Sequence, residues 1–511
     1  MRVTSAQLTK GATMIYNFNL GIGWASSGVE YAQSYRAKVL RNINKPAKFI
    51  FTDMFPRDNL TDMTENIGFE DDEIIWLYTF FTDITLGPVT YTVDDLRASV
   101  GDVSLTYERE GKIGKFVFEG DNNFYRIYFV NADSDFVHRV EMVSRGCLVR
   151  KDYFISGRVF SEYYAPLDGK AHMYHRRFFN QDGSLAYEEI NDDGNVMYKF
   201  PDKLICSKQE LIGYMTKKLQ LTKDDIVIID RTTGQGQAIM ENVGEAKLGI
   251  VIHADHFSEG ATDDDNILWN NYYEYSFSMH GRVDFYITAT EDQRQLMISQ
   301  FQKYMNVTPN VYTIPVGALP ELKYSDKGRK PHSLITASRL ATEKHVDWLV
   351  DAVAEVHKEI EDITLDIYGK GAAEKALREQ IEALKADSYI RLMGQHDLED
   401  VYVNYEAYLS GSTSEGFGLT LMEAIGSGLP IIGFDVRYGN KNFIDEGKNG
   451  YKLPYNIGIE KSRRQKLIVD AIKKLFMEDD LDEMHEHSYK KAKEYLAHEV
   501  EAKWKNLIET I

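Results

Sequence analysis

Residues Ser414–Gly426, Ser-Glu-Gly-Phe-Gly-Leu-Thr-Leu-Met-Glu-Ala-Ile-Gly, combine a glycine turn, an apolar helical start and two carboxylates. Glu415 precedes the turn Gly416–Gly418, and Glu423 follows eight residues after Glu415. Free N–H groups at the start of a helix attract anions. Two carboxylates at this spacing can hold hydroxyls of two different sugar rings. The alternative is a surface Glu and a helix Glu on an ordinary α/β scaffold.

This stretch lies in the second of two series of short apolar runs, each run separated from the next by a helical length of chain. Such runs are typical of buried parallel strands with crossover helices. A polar linker, Tyr324–Pro331, separates the two series. The predicted strands are Met14–Asn19, Ala47–Thr52, Ile226–Asp230, Gly249–His253, Asp284–Thr288 and Val311–Pro315 in the first series, and Ser333–Ala337, Ile363–Tyr368, Ile390–Met393, Ala407–Ser410 and Pro430–Phe434 in the second.

Residues 76–212 interrupt the first series and are rich in Tyr and Phe, with alternating runs such as Lys115–Glu119. Asp182-Gly183 and Asp193-Gly194 indicate hairpin turns. We therefore predict an α/β fold of two Rossmann-like units facing a cleft, with an antiparallel β domain inserted into the first. The predicted domains are 14–75 with 213–322, the insertion 76–212, the second unit 323–485, and a C-terminal helix over 486–511 that packs back on the cleft. Such a cleft is the expected ligand site.

Composition excludes several classes of protein. The chain has 511 residues, and 59 basic against 79 acidic side chains give a net charge of 59 − 79 = −20, which argues against broad nucleic-acid binding. Only Cys147 and Cys206 are present, so a disulfide framework, a Cys-ligated zinc site and an iron–sulfur cluster are excluded. No apolar run is long enough to span a membrane, and the first thirteen residues lack the apolar core of a secretion signal. Because Met14 opens the first predicted strand, we expect the leader to be a tag or an alternative start. Without a secretion signal or a membrane-spanning run, we expect the protein to be cytoplasmic.

Two further motifs could bind phosphate. Gly21–Glu30 joins the first predicted strand to a helix, but Ser26 occupies the third glycine position of the dinucleotide fingerprint, and a simple turn and cap is the alternative. Arg339 and Lys344 follow the strand Ser333–Ala337. Two cations there suit a diphosphate, whereas the alternative is a pair of solvated side chains.

Two polar stretches could suggest a metal, and neither supports one. His253 and His256 have no obvious third ligand. Asp263–Asp265 lies in a polar stretch between predicted elements and is interpreted as an acidic loop. No metal and no cofactor are therefore expected.

The Glu415/Glu423 pair, together with Ser338–His345 (SRLATEKH) and the N-terminal GIGWASSG, resembles the retaining GT-B glycosyltransferases of family 4. The chain resembles, more narrowly, the accessory-Sec glycosyltransferase of Gram-positive bacteria (GtfA type). This resemblance is carried by the N-terminal motif, the β insertion and the stretches HADHFSEG and ILWNNYYEYSF. The resemblance runs from about Met14 to Ile511. That family uses UDP-N-acetylglucosamine to attach the first sugar to Ser or Thr of serine-rich-repeat adhesins before accessory-Sec export.

The resemblance implies a role for each matching residue. Glu415 holds hydroxyls of the donor sugar, Glu423 holds the ribose hydroxyls, and His253 lies near the reacting centre. Arg339 and Lys344 take the pyrophosphate. The catalytic candidates are therefore Arg339, Lys344, Glu415 and His253. The donor-binding candidates are Gly23, Gly28, Val29, Glu30, Tyr31, Gln395, His396, Glu415, Gly416, Phe417, Gly418 and Glu423.

A retaining transfer through a covalent intermediate needs a carboxylate nucleophile beside the anomeric carbon, and the resemblance supplies none. We therefore expect a front-face substitution in which the departing UDP helps to deprotonate the acceptor. The insertion is expected to bind a catalytically degenerate glycosyltransferase-like subunit (GtfB type) that recruits the unfolded adhesin; a mere structural buttress is the alternative. Two other functions remain as alternatives: transfer of GlcNAc or glucose to wall teichoic acid, and the role of a non-catalytic chaperone paralogue. Peripheral association with the inner face of the cell membrane is left open.

Overall fold

The structure, a computed structural model, describes residues 13–22, 28–55, 59–120, 122–192, 194–456 and 458–511. The chain divides into two compact units, Met1–Val251 with Asn271–Asp284, and Ile252–Asn270 with Phe285–Ile511. The predicted domain bounds differ from these divisions and stay a prediction.

The first unit contains a parallel sheet with strand order β15-β14-β1-β2-β3. Strand β1 pairs with β14 on one side and β2 on the other, and it is buried along its whole length. Both faces are covered, which explains the continuous apolar runs in the sequence. The elements are β1 (Ile15–Asn19), α1 (Gly28–Asn42), β2 (Ala47–Phe51), α2 (Leu60–Glu65), β3 (Ile74–Trp76), α3 (Val93–Val100), then, after the insertion, α4 (Lys208–Lys218), β14 (Ile226–Ile229), α5 (Gly236–Met240), β15 (Lys247–Ile252) and α6 (Glu274–Ser278).

The insertion folds as a ten-stranded antiparallel sheet in which the strands lie in chain order from β4 to β13. Neighbours in sequence pair because each is joined by a short connection. Gly183, at a φ of +82°, lies in the turn between β10 and β11, and Gly194, at +89°, precedes β12. Both predicted turns fall between strands, although Asp193 is outside the described residues. The strands are β4 (Leu105–Glu110), β5 (Ile113–Phe118), β6 (Phe124–Phe129), β7 (Val137–Ser144), β8 (Cys147–Phe154), β9 (Arg158–Leu167), β10 (Lys170–Phe179), β11 (Leu185–Asp192), β12 (Asn195–Lys199) and β13 (Leu204–Ile205).

The second unit contains a six-stranded parallel sheet with strand order β20-β19-β18-β21-β22-β23, and a parallel pair, β16 with β17. The apolar faces of α8 and α12 cover the six-stranded sheet and form its core with buried strand residues. The elements are β16 (Phe285–Thr288), α7 (Glu291–Met305), β17 (Val311–Thr313), β18 (Ser333–Ala337), α8 (Val346–Val356), β19 (Thr364–Tyr368), α9 (Glu374–Leu384), β20 (Ile390–Gly394), β21 (Ala407–Ser410), α10 (Leu419–Gly426), β22 (Ile431–Phe434), α11 (Gly439–Phe443), β23 (Gly450–Leu453), α12 (Lys461–Met477), α13 (Leu481–Ala492) and α14 (Ala497–Thr510).

Every strand predicted from the sequence is present, and Ser333–Ala337 and Ala407–Ser410 have the predicted bounds. Two strands of the parallel sheets were not predicted, β3 and β23, which have three and four residues. Such short edge strands leave too few alternating positions to be distinguished from loop. Among the described residues, no helix combines the length and apolar character needed to cross a membrane.

Candidate functional site

The site is built at the carboxyl ends of β18 and β21 in the second unit, which pair in parallel. The chain after β18 and the chain after β21 are fastened together: the Thr413 amide donates to the carbonyl of Glu343 at 3.2 Å. Gly411 permits this approach, because a Cβ there would lie 2.7 Å from the carbonyl oxygens of Lys344 and His345. Ligands of parallel sheets bind at this edge.

Lys344 and Glu415 meet across this junction. The Lys344 ammonium donates to Glu415 Oε2 at 2.6 Å, and their side chains are only 16% and 18% exposed. The Ser412 hydroxyl reaches the same carboxylate oxygen at 3.3 Å. The sequence predicts that Lys344 contacts a diphosphate and that Glu415 contacts a sugar. In the structure the two side chains contact each other, and their opposite charges compensate.

Arg339 pairs with a carboxylate of its own loop, and its contact with the pyrophosphate stays a prediction. Its guanidinium donates to Glu343 at 2.8 Å, and its side chain is 74% exposed. An exposed pair of this kind is worth at most about 1 kcal/mol. Arg339 is therefore not fixed in position, and little free energy opposes its movement to another anionic partner.

The turn Gly416–Gly418 leads directly into α10. Gly418 has a φ of +89°, and a Cβ there would lie 2.7 Å from Leu421 Cδ1, so the turn requires glycine. Between the glycines, Phe417 is buried and packs against Phe443 and Tyr495, with ring centroids 5.1 and 6.1 Å apart. The buried ring anchors the turn whose amides precede the helix.

A second segment, Arg437–Gly439, supports this turn and was not predicted. The amides of Tyr438 and Gly439 both donate to the carbonyl of Glu415, at 2.6 and 2.8 Å, and the Glu415 amide donates to the carbonyl of Arg437 at 3.1 Å. A Cβ at Gly439 would lie 2.2 Å from the carbonyl oxygen of Phe417. No local pattern marks this contact, since it joins positions more than twenty residues apart.

The segment after β15 reaches the same place. The carbonyl oxygen of His253 lies 3.1 Å from the position that a Cβ of Gly416 would occupy, so His253 neighbours the glycine turn. Its place near the reacting centre stays a prediction. His256 Nε2 lies 2.7 Å from Gln300 Oε1, and its Nδ1 lies 3.2 Å from the Tyr438 hydroxyl. Burial lowers the pKa of His256 to about 4, which keeps the ring neutral at neutral pH.

Both ring nitrogens of His256 therefore contact protein partners, so neither nitrogen is available to bind a metal ion. Asp263–Asp265 lies in a loop after a short 3₁₀ turn, and Asp263 accepts from the amides of Asp265 and Asn266 at 2.9 and 2.7 Å, as an acidic loop would. Within the described ranges, no three His, Cys, Asp or Glu side chains cluster as metal ligands do.

Glu423 lies on α10, where the Tyr402 hydroxyl donates to its Oε2 at 3.0 Å. Burial raises the pKa of Glu423, and the nearby Asp397 adds to this, while the Tyr402 hydrogen bond opposes it. Gln395 and His396 follow β20 and are exposed, and His396 Nε2 lies 2.8 Å from the carbonyl of Met393. These residues follow the strand ends as predicted.

The turn Gly369–Gly371 was missed, although Lys370 gives it a third cation at this sheet edge. Its glycines pack closely against the chain after β18: a Cβ at Gly369 would lie 1.9 Å from the carbonyl oxygen of Ser338. The Leu340 amide donates to the carbonyl of Lys370 at 2.9 Å. A strand followed by Gly-Lys-Gly was the signal that could have found it.

The other candidates belong to the first unit. Glu30 is buried on α1, where it accepts from Asn19 at 3.3 Å and from Arg231 at 3.2 Å. Gly28 and Tyr31 are exposed, and Val29 is half-buried. Gly23 lies outside the described residues.

Two family models match parts of the chain: the GtfA extended beta-sheet domain over residues 106–202, and Glycosyl transferases group 1 over residues 331–476. The UDP-N-acetylglucosamine–peptide N-acetylglucosaminyltransferase GtfA subunit of Streptococcus gordonii is 53% identical over 498 residues, which are 97% of this chain and 98% of that protein. This chain belongs to the family of GtfA subunits.

Two crystal structures of GtfA proteins agree with this membership. A chain of a GtfA/B complex is 53% identical with a TM-score of 0.94, covering 97% of this chain and 99% of that one. The pneumococcal O-GlcNAc transferase GtfA, in complex with UDP and GlcNAc, is 48% identical with a TM-score of 0.89, covering 98% and 99%. The predicted GT-B fold of a glycosyltransferase, with an inserted antiparallel β domain, is confirmed.

Proposed function

We propose that this protein transfers N-acetylglucosamine from UDP-N-acetylglucosamine to Ser or Thr hydroxyls of a serine-rich-repeat adhesin, as the first sugar added before accessory-Sec export. The observation that carries the proposal is the Lys344–Glu415 contact beside the glycine turn, in a chain with 53% identity to a GtfA subunit. The contact brings a cation, backbone amides and a carboxylate together at one sheet edge, which supports the proposal.

Each side chain has one task in this proposal. Lys344 exchanges Glu415 for the diphosphate of the donor, and the freed carboxylate accepts hydrogen bonds from sugar hydroxyls. Arg339 leaves its weak pair with Glu343 for the same diphosphate, and Glu423, held by Tyr402, accepts from the ribose. The amides of Gly416–Gly418 add the positive end of the α10 dipole.

The transfer proceeds with retention of the anomeric configuration. The bond between the anomeric carbon and the β-phosphate oxygen breaks, and the acceptor oxygen bonds to that carbon on the same face. The acceptor proton passes to the departing phosphate oxygen. Negative charge grows on the β-phosphate during this step, so that a fixed cation and oriented amides lower the barrier.

The test compares acceptors and a site variant. Purified protein, together with a GtfB-type subunit, is incubated with radiolabelled UDP-N-acetylglucosamine and either a serine-rich adhesin polypeptide or polyribitol phosphate. We expect label in the polypeptide only, an α-linkage in the product, and loss of transfer in Glu415→Gln. Label in polyribitol phosphate alone would identify a wall teichoic acid transferase, and no label in either would indicate a chaperone paralogue.

We propose that the inserted sheet binds the GtfB-type subunit. Side chains on three of its strands are large, apolar and about half exposed, namely Leu167, Tyr174 and Leu185. Aromatic residues such as Tyr174 are enriched at protein interfaces. Tyr174→Lys should reduce co-purification of the two subunits without changing the folded state of this chain. Co-purification equal to wild type in both Tyr174→Lys and Leu167→Lys would contradict this surface.

We also propose that the protein acts in the cytoplasm, at or near the inner face of the membrane. Its two cysteines are exposed and unpaired with each other, which fits a reducing compartment. Cell fractionation with salt washes tests this, since a peripheral protein is released by salt.

A further inference from the structure

The first unit has an open groove of about 800 Å³ that the donor site does not use. It is lined by residues of α4 and α5, by β13, and by the chain before and at the start of α6. Its volume is in the upper part of the range of small-ligand pockets, about 300–1,000 Å³. We propose that this groove binds the acceptor as an extended, uncharged, hydroxyl-rich polypeptide; the inference rests on the proposed function and locates its second substrate.

The groove adjoins the ligand-binding edge of its sheet. Thr232–Gln235 follow β14 at its carboxyl end, and β14 pairs in parallel with β1. This is the edge at which parallel α/β sheets bind ligands. The groove therefore extends from a functional edge toward the inserted sheet.

The lining carries no net charge. Lys203 and Lys217 offset Glu210 and Glu241, two charges of each sign, although the chain as a whole has a net charge of −20. The remaining lining side chains are mostly amides, hydroxyls and aromatic rings. Such a surface matches a chain rich in Ser and Thr, which has hydrogen-bonding groups and no charge.

The groove also offers polar groups that the fold does not use. Gln209 and Asn271 are exposed, and their side-chain amides make no hydrogen bond to any other described residue. Tyr272 is 56% exposed at the rim. Amides and a tyrosine ring together bind both the backbone and the side chains of a peptide.

Tyr214, another lining residue, packs against its neighbours. The Tyr214 ring stacks on Phe81, with centroids 5.3 Å apart, and Lys203 Nζ lies 3.8 Å from the Tyr214 centroid. Because these contacts already order the Tyr214 side chain, binding costs little further ordering there.

An edge strand distinguishes a polypeptide from an oligosaccharide as the occupant. β13 is the last strand of the inserted sheet, and within the described part of the chain it pairs only with β12. Its residues Leu204 and Ile205 line the groove, so its outer edge offers main-chain groups to an extended peptide. A sugar polymer has no backbone that could extend a sheet.

The experiment compares a groove variant with a matched control. The double variant Tyr272→Ala/Gln237→Ala removes an exposed tyrosine and an exposed helical glutamine of the groove. The control Tyr324→Ala/Gln302→Ala removes the same side chains elsewhere, where Tyr324 is 60% exposed. A third variant, Gln209→Trp, fills the groove at a position whose amide has no partner to lose.

Transfer is measured with a long serine-rich polypeptide and with a short peptide, and donor hydrolysis is measured without acceptor. We expect both groove variants to raise KM for the long polypeptide about tenfold, with kcat within about twofold. Donor hydrolysis, short-peptide transfer and the control should stay at wild-type values. Unchanged KM in both groove variants would overturn the inference, as would an equal loss of donor hydrolysis.

A polypeptide with Ala in place of Ser and Thr and one with its hydroxyls intact are then compared in calorimetry, beside a GlcNAc oligosaccharide. If the wild-type protein binds the hydroxyl-bearing polypeptide and Gln209→Trp binds it more weakly, the groove is the acceptor site. This result would hold even if the wild-type protein transferred no sugar, so the test separates this inference from the proposed function. Binding of the oligosaccharide alone would contradict it.

Discussion

Replacement of Lys344 by Gln tests the proposed cation most sharply. The substitution keeps a polar side chain of similar length but removes the ammonium that lies 2.6 Å from Glu415. Loss of one group that stabilises developing negative charge costs about 2.7–4 kcal/mol, or about 10²–10³ in rate. We therefore expect kcat/KM to fall by about that factor.

The same change also has a structural cost, which can be worked from burial. A fully buried pair that loses one partner costs about 3–5 kcal/mol. Lys344 and Glu415 are 16% and 18% exposed, and Ser412 still reaches Glu415, so we expect a loss of only about 1–2 kcal/mol, near the value of a single hydrogen bond to a charged group. The protein should remain folded.

The assay measures radiolabelled transfer, the Kd of UDP by calorimetry, and thermal unfolding. Lys461→Gln is the control, because Lys461 also contacts a carboxylate closely, Asp351 at 2.7 Å, but is 69% exposed. Wild-type kcat/KM and an unchanged Kd for UDP in Lys344→Gln would refute the assignment. So would an equal loss of activity in the control.

Two further predictions concern the donor turn and the ribose carboxylate. Gly439→Ala should lower transfer, and should lower the free energy of unfolding by about 1–3 kcal/mol through overpacking, because its Cβ would lie 2.2 Å from the Phe417 carbonyl oxygen. The control Gly281→Ala, which has open space around it, should change neither transfer nor stability. Equal unfolding curves for the two variants would count against the packing argument. UDP affinity should fall as pH decreases through the raised pKa of Glu423, since only the carboxylate form accepts from both ribose hydroxyls. Calorimetry across pH in wild type and Glu423→Gln checks this, and a pH dependence that survives the substitution assigns it to another group.

Much of the fold was predictable because parallel strands buried on both faces leave continuous apolar runs, as in Ser333–Ala337. The order of the inserted sheet also follows from its hairpins. Lys344 and Glu415 could be placed at one sheet edge, since each follows a strand, but their contact could not, because it depends on how two loops pack. Arg437–Gly439 and the groove beside α5 arise from long-range packing that no spacing in the sequence records.

The most direct measurement is a crystal structure of this protein with UDP. We predict the diphosphate within hydrogen-bonding distance of Lys344 Nζ and the amides of Gly416–Gly418, Arg339 turned toward it, and the ribose hydroxyls on Glu423. UDP bound away from these groups, with Lys344 still paired to Glu415, would contradict the account.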